Sequence, residues 1–343
     1  ERKLQCLLKL DRLSDVESML DVYLDPNLDS YRTILSDKKK KKEKSEEKKS
    51  EPTKGFVWDK VPIELERRSG TIVSSSDDKL CIKYLPDRGY HVRSTSQIKA
   101  GELLVDEPPY ASVLISAHIN EYCFECMHSL DPLKTNVTPC RQCSRVLYCS
   151  RQCEKSGWQC HHKYECKHLT LLSSCLTHME WLALRIVLKA GLGQLNDLKP
   201  KLLKHELECE ASGLRSGAEL PSCYRSDSYE NVFHLMTNSF LRKSSDLFRR
   251  AYVALFLVKF LVHIQFLMSA DNGDDDACFV GGLLLRHSQS ISCNAHEISR
   301  LKITETGKNA LANSVANGIG AGIYALMSMF NHACAPHVTR NFS

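Results

Sequence analysis

Between Cys123 and Cys166 the sequence pairs its metal-binding residue types four times: Cys123-x-x-Cys126, Cys140-x-x-Cys143, Cys149-x3-Cys153 and His162-x3-Cys166. A C-x-x-C knuckle turns tightly enough for both thiolates to face one ion. An x3 pair sets two side chains one helical turn apart on the same face. Four pairs supply eight ligands, enough for two tetrahedral zinc sites with no position left for water, and closed sites of that kind are structural rather than catalytic. His162, not its neighbour His161, stands at the i, i+4 offset from Cys166, and Cys160 between the pairs reads as a spare thiol.

The other eight of the sixteen cysteines are scattered singly and no secretory signal precedes them, which points to reduced thiols and metal rather than disulfides. At 343 residues, 43% hydrophobic and 25% charged, the chain has the composition of a globular protein with more than one structural unit, which excludes a fibrous or wholly disordered class. The net charge of +5 is local: nine lysines face five acidic residues between Asp37 and Lys54, which leaves about +1 for everything else. From Cys123 to His168 seven basic and four acidic side chains, two zinc ions and seven thiolates bring the loaded module to neutrality. No specific nucleic-acid binding is therefore expected, and protein contact is the better assignment. Ala251 to Met268 is apolar but interrupted by Lys259, His263 and Gln265, so it reads as a buried helix rather than a membrane span. A monomer is expected.

These residues must be positioned by elements of several textures. Residues 1–36 read as one or two amphipathic helices, with Leu4, Leu7, Leu8, Leu13, Val16, Met19 and Leu20 near helical spacing, compatible with the last piece of a repeat array and equally with a plain docking helix. Residues 37–54 form a charged linker whose lysine block reads as a nuclear address, so cytoplasm and nucleus are the expected compartments. Residues 55–122 carry short β-type runs (LCIKYL, YHVRS, GELLVDE). After the Cys-rich block at 123–166, a helical stretch occupies 167–289, with an acidic loop at Asp271 to Asp276. Residues 290–343 return to strands and Gly-rich turns. The expected fold class is α+β: a β module split by a zinc finger and a helical insert, with an N-terminal helical remnant.

The run CFECMHSLDPLKTNVTPCRQCSRVLYCSRQCEKSGWQCHHKYEC resembles a MYND zinc finger. The flanks DRGYHVRSTSQIKAGELLVDEPPYASVL, QSISCNAHEI and IYALMSMFNHACAPH resemble the two halves of a SET domain, so the whole resembles the SET and MYND domain-containing lysine methyltransferases over roughly residues 56–343. The resemblance implies interleaved zinc sites, Cys123, Cys126, Cys149 and Cys153 on one ion and Cys140, Cys143, His162 and Cys166 on the other. It further implies S-adenosylmethionine as cofactor, a lysine-bearing protein or peptide as substrate, and protein partners for the finger. Pro86, Asp87, Arg88 and Gly89 match the family's cofactor loop, and Asn238, Asn294, Asn331 and His332 match positions that touch the cofactor.

The sequence departs from the family at NHACAPH, where Ala333 and His337 replace a small hydroxyl residue and an asparagine. This leaves a non-catalytic scaffold as the competing reading. Because the chain begins with Glu1 and stops at Ser343, it reads as a fragment. The family's active-site tyrosine and post-SET cysteines are expected beyond that point, with Cys334 resembling one ligand of the further site. Residues 1–343 alone are expected to be inactive.

Overall fold

A computed structural model describes residues 36–37, 64–65, 79–85, 89–130, 137–212, 223–267, 273–302 and 314–341. The chain divides into two units, Glu1–Asp59 and Lys60–Ser343. The expected N-terminal helix and charged linker lie almost wholly outside the described residues.

In the second unit, β1 (Glu64–Leu65) pairs in parallel with β7 (Cys223–Tyr224), and β2 (Leu80–Leu85) forms an antiparallel hairpin with β3 (Gly89–Ser94). Both hairpin strands fall where the sequence shows LCIKYL and YHVRS. The third run, GELLVDE, is no strand: residues 102–109 are irregular, and pairing begins only at β4 (Ala111–Leu114). Pro108 and Pro109 donate no N–H, and Glu102 and Glu107 turn their carboxylates to other segments, Glu102 to Lys79 and Glu107 to Leu326 and Met327.

The finger contains the short pair β5 (Thr138–Pro139) and β6 (Leu147–Tyr148), then α1 (Arg151–Gly157). Helices α2 (Leu169–Cys175), α3 (His178–Ala190), α4 (Leu192–Ser212), α5 (Tyr229–Phe233), α6 (Ser244–His263) and α7 (Gly273–Asn294) follow, before β8 (Ala295–Lys302) and β9 (Val315–Ile323). Order in the main sheet is β4-β9-β8, all antiparallel, with Ala111 opposite Ile323. Strands β4 and β9 thus pair around the whole finger and helical block, which makes the fold α+β with a large insertion between neighbouring strands.

Helix α3 is the centre of the core. Thr177 and Glu180 form a reciprocal cap at its start: the Glu180 N–H donates to Thr177 Oγ1 at 3.3 Å and the Thr177 N–H to Glu180 Oε2 at 2.9 Å. Gly191 closes it with a φ of 75°. From Trp181 to Leu188 every side chain is buried, because β4 packs on one side and α7 on another. In β9, a Cβ at Gly320 would meet the Val113 carbonyl at 2.6 Å and Met127 Sδ at 2.8 Å. Only glycine lets the finger's Met127 close onto the sheet.

Two further expectations need correction. The acidic stretch read as a loop at Asp271 to Asp276 runs into α7 from Gly273, and the helix continues to Asn294, past the expected boundary at 289/290. Acidic groups at a helix start are favourable, and Asp275 and Asp276 share the ammonium of Lys199 on α4. The apolar run from Ala251 is buried on one face only: Ala254, Leu257, Phe260 and Leu261 pack inward, while Phe248, Tyr252 and Leu255 are exposed. Among the described residues no helix is long and apolar enough to cross a membrane.

Candidate metal centres and cofactor face

The four sequence pairs assemble into two tetrads, Cys123, Cys126, Cys149 and Cys153, and Cys140, Cys143, His162 and Cys166, with the ligand atoms of each within 4.8 Å of one another. Zinc about 2.3 Å from each sulfur sets neighbouring ligands about 3.8 Å apart at tetrahedral angles. The edges fit: 3.5 Å for Cys126–Cys149, 3.6 Å for Cys149–Cys153, 4.0 Å for Cys140–Cys166, and 3.5 Å from Cys143 Sγ to His162 Nε2. All-sulfur and three-sulfur, one-imidazole donor sets with four ligands each are those of structural zinc.

Local structure explains how each pair meets. Cys149 lies just before α1 rather than within it, and the Ser150 cap, accepting from the Cys153 N–H at 3.2 Å, folds the turn so that the two sulfurs converge. His162 closes a π-helical turn (Trp158–His162), and backbone angles stay helical through Cys166, so the i, i+4 offset holds in space. Burial lowers the His162 pKa to about 4, so its ring is neutral, the form that ligates. Cys160 belongs to neither tetrad.

His161 has a different task. Its Nε2 lies 3.0 Å from Glu125 Oε2 and its Nδ1 2.9 Å from Glu165 Oε2, so neither ring nitrogen remains for a metal. Replacing His162 by Ala is therefore expected to lower zinc from about two ions per chain to about one, while His161→Ala keeps both; atomic emission on the purified variants decides. Equal losses would show that the histidines are interchangeable.

Sequence reasoning missed the buried network around Glu165. Arg185 from α3 donates to Glu165 through Nε at 2.8 Å and Nη2 at 2.9 Å, Trp181 Nε1 donates at 2.6 Å, and Arg185 Nη1 reaches the Ser112 carbonyl on β4 at 2.8 Å. The guanidinium stacks 4.5 Å from the Phe124 ring centroid. Burial opposes ionisation of Glu165, but the charges of Arg185 and His161 outweigh it and hold this carboxyl well below its ordinary range. One acid beside the ligand Cys166 thus links the finger to the central helix and the main sheet. The available signal was the lone Arg185 inside the apolar run LALRIVL, since an arginine so placed needs a buried partner.

Residues 121–166 match the MYND finger family. Protein-lysine N-methyltransferase SMYD4 of Gallus gallus is 24% identical over 405 residues, covering 100% of this chain and 54% of that protein. The Mus musculus protein of the same name is 26% identical, covering 100% and 50%. Histone-lysine N-methyltransferase ASHR1 of Arabidopsis thaliana is 22% identical, covering 78% and 45%. The chain is similar to SET and MYND domain-containing methyltransferases. It spans about half the length of the curated relatives it matches.

Of the expected cofactor residues, Pro86, Asp87 and Arg88 lie outside the described residues. Gly89 begins β3 with a φ of 69°, its carbonyl 3.0 Å from His91 Nδ1. Asn238, in a left-handed conformation, donates to Cys293 Sγ at 3.4 Å. Asn294 Nδ2 donates at 2.8 Å to the carbonyls of both Met236 and Ser290, and the Asn294 carbonyl accepts from Ser328 Oγ at 3.1 Å. Ser328 belongs to the short turn Met327–Met329, against which β3 packs, and Asn331 and His332 follow that turn. Asn331 and His332 are exposed and line a cleft of 1810 Å³ with Glu107, Met127, Tyr324 and Arg340. Gly89, Asn238 and Asn294 do not line that cleft, so hydrogen bonds and packing join these residues without one shared cavity gathering them.

Proposed function

We propose that the complete protein is a protein-lysine methyltransferase using S-adenosylmethionine, with residues 55–122 and 290–343 as two parts of one SET domain and the finger and 167–289 as insertions. The observation that carries this is the pairing of β4 with β9 around the finger, which returns the chain beside its own earlier strands just before Asn331 and His332. The relatives named as lysine methyltransferases support the same reading. S-adenosylmethionine would supply an electrophilic methyl group on a sulfonium centre. This chain's task is to hold the cofactor's polar ends once water is removed.

Asn331 can donate and accept through its amide, and the backbone at His332 can meet the adenine. Asn294 has its amide nitrogen committed to Met236 and Ser290, so its side-chain oxygen is what remains for a ligand. Gly89 suits a close backbone approach, and Pro86, Asp87 and Arg88 are assigned beside it from their match in sequence alone. Asn238 braces Cys293, the neighbour of Asn294. The finger, neutral when loaded, suits protein partners, and the substrate is a lysine-bearing protein or peptide.

Calorimetric titration of S-adenosylmethionine into the complete protein tests the assignment. Asn331→Ala should weaken binding about tenfold through lost and unpaired hydrogen bonds, and the wild type should transfer labelled methyl to lysine. Unchanged affinity in Asn331→Ala would remove this residue from the cofactor site.

A further inference from the structure

We infer that Glu107 is a positioning residue for Asn331 and His332, acting through the turn that precedes them. The inference rests on the cofactor reading above and adds a residue to it.

Glu107 precedes Pro108 and Pro109, so its backbone is held extended and the next two residues donate no N–H. The residue is 8% exposed. Oε1 accepts from the Leu326 N–H at 2.9 Å and Oε2 from the Met327 N–H at 2.8 Å. These are the donors that a helical turn leaves without internal partners at its start. The turn then closes on itself: the Met329 N–H donates to the Leu326 carbonyl at 2.9 Å and the Phe330 N–H to the Met327 carbonyl at 3.1 Å. Asn331 is the next residue.

Ser328 on the same turn places its one hydroxyl proton between the Tyr324 carbonyl at 2.6 Å and the Asn294 carbonyl at 3.1 Å. Glu107 thus anchors the start of this short turn, and the turn sets where the chain emerges towards the cleft. Glu107 lines the cleft that Asn331 and His332 line, but both its oxygens are engaged by the backbone. It acts through the turn.

A carboxylate is a costly group for this position if packing alone were required. Burial raises Glu107 to about 7, against the lowering effect of the Leu326, Met327 and Ala325 N–H groups. Burial raises the pKa of Tyr224 and Tyr324, and the charge of Glu107 adds to the effect. An apolar side chain would fill the space but leave the turn's N–H groups unanswered.

The experiment compares Glu107→Ala, Glu107→Gln and Asn331→Ala in the complete protein, reading S-adenosylmethionine affinity by calorimetry, the separate KM values for cofactor and peptide, zinc content and thermal midpoint. Glu107→Ala should raise the cofactor Kd and KM about tenfold, with the peptide KM and zinc content unchanged. Glu107→Gln has the same shape but answers only one of the two N–H groups and turns its amide NH2 towards the other, so its affinity should fall between wild type and Glu107→Ala, recovering part of the loss. Wild-type affinity in Glu107→Ala alongside a loss in Asn331→Ala overturns the role of Glu107 and leaves the cofactor site standing. Wild-type affinity in both overturns the cofactor site itself. A loss in Glu107→Ala that Glu107→Gln does not recover in part, or that raises both KM values together, also rejects the positioning role.

Discussion

Removing zinc from the chain with a chelator is expected to unfold residues 121–166 while α3 stays folded. The regular structure of the finger is small, two strands of two residues each and a helical stretch from Arg151 to Glu165, with no disulfide among the described cysteines. Within it eight ligands are packed into two groups whose members lie within 4.8 Å of one another. Without a cation the four sulfurs of the first group compete for protons. Structural zinc contributes on the order of 10 kcal/mol of folding free energy to modules of this size, more than the whole stability of many small domains. The damage should also reach beyond the ligands, because Phe124, Val146 and Tyr148 are part of the same buried core as Trp181. Hydrogen exchange read before and after chelation should show loss of protection through 137–168 and a lowered but cooperative melt for the rest. Retained protection in the finger, or a native metal content below about one ion per chain, would refute the structural role.

The second large effect is expected at Arg185. Replacing it with Met leaves the Glu165 carboxylate fully buried with its main counter-charge gone. Breaking one side of a buried ion pair costs about 3–5 kcal/mol, because an uncompensated charge remains. The Ser112 carbonyl also loses its donor, and Phe124 its stacked cation. The double variant Arg185→Met with Glu165→Gln removes both charges, keeps an acceptor for Trp181 Nε1 and turns an amide N–H to His161 Nδ1, which accepts in the matching neutral tautomer. It should be markedly more stable than the single variant, a non-additivity that thermal or denaturant unfolding can measure. A single variant within about 1 kcal/mol of wild type would mean that the charge is relieved by water or by protonation. Zinc content is the useful companion readout: Glu165 adjoins Cys166, so loosening the pair should also ease loss of the second ion.

The metal ligands and their grouping into pairs were legible in the amino-acid order, because side-chain chemistry and short spacings are local properties. So were the hairpin strands, the helical character of the block after Cys166, and the α+β class. The choice of His162 over His161 was legible too, since a helical offset is arithmetic on neighbours. Spacing alone left open which pairs share an ion, and only the fold brings Cys149 and Cys153 back across the chain to Cys123 and Cys126.

Long-range partners decided the rest. GELLVDE has the composition of a strand, yet Glu107 serves a turn whose N–H groups come from Leu326 and Met327, more than two hundred residues later. The acid run before α7 reads as a loop in isolation, but Lys199 on another helix and the favourable helix start draw it into α7. Glu165 and Arg185 look like ordinary charges until packing removes water from both and leaves each as the other's solvation. Burial and hydrogen-bond satisfaction are properties of the assembled chain, and they convert residues of unremarkable type into the ones that hold the finger to the sheet and the final turn to the cleft.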